Sequence, residues 1–261
     1  MGRLCVFTDI HGMQVHFHCT GEGKDVLLLH GWGANIQAFS PVHSNLEKHF
    51  KVWSIDLPGF GESEEPPEPW GSYDYSEWLR NFIEHHNIED PILVGHSNGG
   101  RISIQYATKY PVHKVILVDS AGVKPKRKFN YYVKVYSFKT AKKLLSLPGL
   151  RSKKDEILTK MKKKVGSTDY QNVSGIMQQT LVKVVNEDLQ HLMPKIQVPT
   201  LLVWGEKDDD TPVSHGQTME KLIPNSGLVV LKGAGHFAYL DNLQEFLIIV
   251  NNFLEKDKEA H

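Results

Sequence analysis

The sequence predicts an α/β fold, a mostly parallel sheet with helices on both faces. Two observations carry this. Short continuous apolar runs alternate with amphipathic segments along the chain, and most of those runs stop at glycines. A strand covered on both faces by crossover helices reads as an unbroken apolar run, not as an alternation. Repeated strand–helix units then give a parallel sheet whose ligands sit outside the carboxyl ends of the strands.

Taken in order, "LCVFTDIHGMQVHFHCTG" reads as two strands turned at His11-Gly12, an antiparallel hairpin. "DVLLLHGWG" is a buried strand ending in glycines, and "AFSPVHSNLEKHF" is helical. "KVWSIDLPGFGES" is a strand and a turn. "YDYSEWLRNFIEHHNI" places Tyr75, Trp78, Leu79, Phe82 and Ile83 at helical spacing. "PILVG" is a strand and "GGRISIQYATKY" a helix, with Pro111 just past its end. "KVILVDSAG", "TLLVWG" and "LVVLKGAG" are strands, "NLQEFLIIVNNFLEK" is the closing amphipathic helix, and the tail "EKDKEAH" is expected to fray.

One interval breaks the rhythm. About 80 residues separate Asp119 from Thr200, where a parallel crossover needs roughly a dozen or more. Residues 124–190 are therefore expected to be an insertion over the ligand crevice, a lid, leaving 1–123 and 191–261 as the core. The insertion is rich in helix formers, as in "SFKTAKKLLSL" and "SKKDEILTKMKKKV", and holds 16 Lys/Arg against five Asp/Glu. Formal net charge over the whole chain is zero, so the rest carries the negative excess and nothing global suggests a nucleic-acid partner. The two cysteines, Cys5 and Cys19, are too few for a disulfide framework and point to reduced thiols and a cytoplasmic location. Neither a signal peptide nor a transmembrane segment is expected, because the longest apolar runs are far too short.

The chemistry gathers around Ser97. Gly95-His96-Ser97-Asn98-Gly99 is a G-x-S-x-G stretch between a strand and a helix. On such a turn the serine backbone is strained, side chains two residues either side would collide with backbone, and the hydroxyl is pushed into the crevice. A phosphate-cradling loop is the other reading, but neither G-x-G-x-x-G nor its lysine-bearing counterpart is present. A serine hydroxyl needs a base, itself oriented by a third group. Of 14 histidines, His236 in "GAGHFAYLDN" follows a strand and two glycines at the same sheet edge. His96 is expected to point away and pack, and His30 to bond locally. His85, His86, His113 and His191 read as solvated. The orienting acid should also end a strand. Asp208 in "LLVWGEKDDDTPV" is the choice, with Asp209 and Asp210 crowding it and Asp119 as runner-up. An oxyanion needs preorganised donors. The amides of Asn98 and of Trp32, in "HGWGAN", are placed to supply them, with Gly31 and Gly33 allowing close approach. No metal-ligand cluster is expected.

Together "HGWG", "DLPGFGES", "GHSNGG", "WGEKD" and "GAGH", in order and spacing, resemble the α/β-hydrolase fold family over nearly the whole chain. The order Ser…Asp…His is that of this fold. The resemblance implies an eight-stranded, mostly parallel sheet with a helical cap after strand six. It also implies a serine hydrolase of carboxylic esters or thioesters of small to medium acyl substrates. Such an enzyme would use Ser97, His236 and Asp208, with the Trp32 and Asn98 amides as oxyanion hole, and no cofactor. Relatives with an aspartate nucleophile are excluded by Ser97. Relatives that cleave carbon–carbon bonds often carry Asn before the serine, where this chain has His96. A lyase, a transferase, an aminopeptidase or a ligand-binding protein on the same fold are the alternatives, since fold alone does not fix activity.

Overall fold

A computed structural model of the protein describes residues 5–125, 170 and 172–258. The strands are β1 (Cys5–Ile10), β2 (Met13–Thr20), β3 (Asp25–Leu29), β4 (Lys51–Ile55), β5 (Ile92–His96), β6 (Lys114–Val118), β7 (Thr200–Gly205) and β8 (Ser226–Leu231). They form one eight-stranded sheet in the order β1-β2-β4-β3-β5-β6-β7-β8. The hairpin β1–β2 pairs antiparallel, and β2 pairs antiparallel with β4. Every pairing from β4 to β8 is parallel. The helices are α1 (Ser40–Leu46), α2 (Ser72–His85), α3 (Asn98–Ala107), α4 (Gly175–Val184), α5 (Val213–Leu222), α6 (Ala238–Asp241) and α7 (Leu243–Phe253).

The unbroken apolar runs are explained by two cores, one on each face. Along β3, Val26 and Leu28 join Val42 and Leu46 of α1 and Phe246 and Val250 of α7. Leu27 and Leu29 join Tyr75, Trp78, Leu79, Phe82 and Ile83 of α2, the stripe read from the sequence. Period-two alternation therefore sends successive residues into opposite cores, and both must be apolar.

Strand order also fixes where a site can form. From β3 the chain steps outward to β4, then returns to place β5 on the other side of β3. The connections leaving β3 and β5 diverge, which opens a crevice at their carboxyl ends. Those ends carry His30-Gly31-Trp32 and Ser97.

The structure adds two helices and corrects three readings: the frayed tail, His113 and His86. Helices α5 and α6 are not legible in the sequence. The carboxyl-terminal tail is anchored as far as Asp257, whose carboxylate accepts from Lys114 Nζ at 2.5 Å and lies 2.8 Å from His113 Nε2. His113 is thus tied to Asp257, and His86 is half-buried against Phe17, Trp53 and Phe82 instead of solvated, with burial pushing its pKa down to about 4. Asp257→Ala is expected to cost about 1–3 kcal/mol, because it strands Lys114 in a mostly buried site; urea unfolding measures it. Cys19 is a free thiol that burial pushes up to about 11, an unreactive state. Among the described residues no helix is long and apolar enough to cross a membrane. Most of 124–190, including "SFKTAKKLLSL" and "SKKDEILTKMKKKV", lies outside the described residues.

Candidate active site

Ser97 sits between β5 and α3 with φ +48°, in the left-handed region that a residue with a Cβ adopts at a cost. The flanking glycines are there for space. A Cβ on Gly99 would lie 1.9 Å from the Leu29 carbonyl oxygen, and one on Gly95 would lie 2.6 Å from the Gly100 backbone. Both obstacles are main chain and cannot swing aside. Gly99→Ala is accordingly expected to destabilise the fold by more than about 3 kcal/mol, or to prevent folding, as read by thermal unfolding. Gly31 is needed for approach too, since a Cβ there would lie 2.7 Å from His96 Nδ1. Gly33 is different: nothing lies within 4 Å, and its requirement is a φ of +72°.

The turn aims the Ser97 hydroxyl at His236, with Oγ 3.1 Å from Nε2. On the other side of the ring, Nδ1 lies 2.9 Å from Asp208 Oδ2. If Nδ1 carries the proton and donates to the carboxylate, Nε2 is left as the acceptor for the serine hydroxyl. Asp208 is buried, whereas Asp209 and Asp210 are exposed. Its Oδ1 accepts from the amides of Asp210 and Thr211, and its Oδ2 accepts from the Thr211 hydroxyl. Thr211 was not legible in the sequence; its only signal is its place three residues past Asp208. Burial alone would raise the Asp208 pKa, but His236 and Thr211 outweigh it and hold the group below the usual carboxylate value. Burial likewise opposes charge on His236, yet the bond to Asp208 and the fields of Asp208, Asp210 and Asp119 leave its pKa raised.

Asp119 has another task. Its carboxylate accepts from the Gly205 amide at 2.7 Å and the Ala238 amide at 3.0 Å. It therefore ties the end of β7 to the loop that follows His236, and burial pushes its pKa up to about 7. His96 packs as expected: Nε2 donates to the His236 carbonyl at 2.7 Å, and burial with the neighbouring His236 drives its pKa down to about 3. His30 also bonds locally, donating from Nδ1 to the Gly31 carbonyl and accepting the Leu57 amide at Nε2. In "DLPGFGES", Asp56 accepts from His16 Nδ1 and from the amides of Ile36 and Glu62, which pins the loop beside the β3 crevice.

The backbone amides of Trp32 and Asn98 have no acceptor among the described residues, and Asn98 opens α3, where helix amides point outward unpaired. Ser97, His236, Trp32 and Asn98 line one cavity of about 300 Å³, to which α4 contributes Leu181 and Val184, and the residue after it Val185. Two groups of donors are close enough to consider for a metal. In one, Asp208 and His236 are already bonded to each other. In the other, His43 spends both ring nitrogens on Ser54 and Thr20.

Known proteins resemble this chain in sequence or in fold. An uncharacterized protein of Mycobacterium bovis is 29% identical over 281 residues, covering 97% of this chain and 82% of its own. A pimeloyl-[acyl-carrier protein] methyl ester esterase of Shewanella woodyi is 28% identical, covering 93% of this chain and 98% of its own. Among solved structures, a bacterial membrane phospholipase A superposes with TM-score 0.76 at 25% identity, covering 99% of this chain and 88% of that one. An esterase from Exiguobacterium antarcticum superposes with TM-score 0.75 at 22% identity, covering 97% and 100%, a likeness of fold. The profile of the alpha/beta hydrolase fold matches residues 25–243, from the first residue of β3 into α7. The chain belongs to the alpha/beta hydrolase fold family.

Proposed function

We propose that the protein is a serine hydrolase of carboxylic esters or thioesters with small to medium acyl groups, working through a covalent acyl-enzyme without a cofactor. The observation that carries this reading is the unbroken hydrogen-bond chain Ser97 Oγ–His236–Asp208 opening into the cavity. Esterases among the relatives support the ester class. In the first half-reaction Ser97 Oγ attacks the acyl carbon as His236 Nε2 takes its proton. The tetrahedral oxyanion is held by the Trp32 and Asn98 amides. His236 returns the proton to the leaving alcohol or thiol, and an acyl-serine remains. Water then attacks that ester, again losing a proton to His236, and Ser97 is regenerated as the acid departs. Asp208 keeps the ring oriented and stabilises its charged form. Residues 124–190 form the cap over this site in the same reading, and the free Cys19 thiol fits a reducing, cytoplasmic setting.

The test is covalent labelling by a fluorophosphonate. The parent protein is expected to be labelled at Ser97 and Ser97→Ala not at all. A folded parent that takes no label, and turns over no ester or thioester in a substrate panel, overturns the reading.

A further inference from the structure

Arg101 lies on α3 one helical turn beyond the nucleophile, its amide donating to the Ser97 carbonyl at 3.2 Å. It is only 6% exposed, and it lines the same cavity as Ser97 and His236. Among the described residues its charge has no counter-ion within bonding distance. Among those residues Nε is buried without an acceptor, and the guanidinium makes one long approach, 3.5 Å from Nη1 to the Glu187 carbonyl oxygen. The nearby carboxylates are engaged elsewhere. That of Glu187 accepts the Ser72 amide through both oxygens, and that of Asp188 accepts from Gln190. Burial pulls the Arg101 pKa down to about 10, which still leaves the group charged at neutral pH.

A buried, unpaired cation is costly. An aliphatic residue would fill the space without that cost. The arrangement makes sense if the partner is supplied with the substrate. We propose that Arg101 is a specificity-determining residue that binds a free carboxylate on the acyl portion of the substrate. The preferred substrates are then monoesters or monothioesters of dicarboxylic acids. This rests on the hydrolase reading above and narrows it.

Two further observations select the ligand class. The guanidinium fork presents parallel N–H donors that match a planar carboxylate. Asp210 lines the same cavity, and its negative charge disfavours a dianion such as a phosphate monoester. A helix rises 1.5 Å per residue, so the Arg101 backbone lies about 6 Å along α3 from Ser97. The number of methylenes between the scissile carbonyl and the bound carboxylate is what a series of chain lengths reads.

The experiment compares methyl hydrogen succinate, glutarate, adipate and pimelate with the corresponding uncharged dimethyl esters, in the parent, Arg101→Met and Arg101→Lys. The readout is the ratio of kcat/KM for monoanion over diester. The parent is expected to favour at least one monoanion, and Arg101→Met to lower that ratio about 10- to 100-fold, the worth of a charged hydrogen bond. Arg101→Lys keeps the charge without the fork and is expected to fall between. If the methionine variant does not fold, the lysine variant carries the same comparison. Ser97-dependent turnover whose ratio is the same in parent and variants overturns the assignment to Arg101, as does a parent with no preference for any monoanion. Absence of both Ser97 labelling and ester turnover overturns the hydrolase reading itself, and this one with it.

Discussion

Replacing Ser97 by alanine is expected to lower kcat for an ester substrate on the order of 10⁶-fold, the scale on which nucleophile removal acts in triad enzymes. The geometry gives the reason. The oxygen lost is the one 3.1 Å from His236 Nε2, and no other hydroxyl among the described residues bonds that nitrogen. Stability should barely move. Alanine keeps the Cβ at φ +48°, so the backbone strain is unchanged and a shift within about 0.5 kcal/mol is expected. The effects should also fail to add. His236 acts by taking the serine proton, so Ser97→Ala/His236→Ala should cost little more than Ser97→Ala alone. Single-turnover kinetics with an aryl ester, beside a denaturation curve for each variant, would measure this. A Ser97→Ala protein within tenfold of the parent would remove the serine from the chemistry.

The sequence was most legible where burial leaves one option. Strands β3, β5, β6 and β7 are covered on both faces, so "VLLL", "ILV", "VILV" and "LLVW" are continuous. Ser97 was legible because the steric demands at Gly95 and Gly99 write themselves as glycine. The missed elements lack such a demand. Helix α5, "VSHGQTMEKL", buries only His215, Gly216 and Met219, and its glycine reads as a helix breaker until Trp204 is seen against it. His86 and His113 look polar in sequence, and only tertiary contacts reveal their ring and hydrogen-bond partners. The three consecutive aspartates posed the same difficulty. Which of Asp208, Asp209 and Asp210 turns inward depends on the loop's own hydrogen bonds, in which Asp208 accepts the Asp210 and Thr211 amides. Asp119, a plausible acid by its place at a strand end, is instead committed to two amides.

That distinction leads to the second large effect. Asp208→Asn is expected to lower kcat about 10⁴-fold and to move the pH profile, whereas Asp119→Asn should leave the position of the acid limb much closer to that of the parent. The sign follows from the electrostatics. His236 works as a base only when neutral, so kcat/KM of the free enzyme rises with pH through its pKa. That pKa is raised above its ordinary 6.5: burial lowers it, but the Asp208 bond and the negative charges around the ring prevail. With asparagine at 208 the bond loses its charge and the largest opposing field disappears. Burial then dominates, the pKa falls, and the limb shifts to lower pH even as the plateau drops. An enzyme limited only by a displaced imidazole would lose its plateau without that shift. A pH series on the parent and both variants, with a chemically limited ester, therefore separates an electrostatic role for Asp208 from a purely structural one. A limb that remains in place in Asp208→Asn would assign the raised pKa of His236 to other groups.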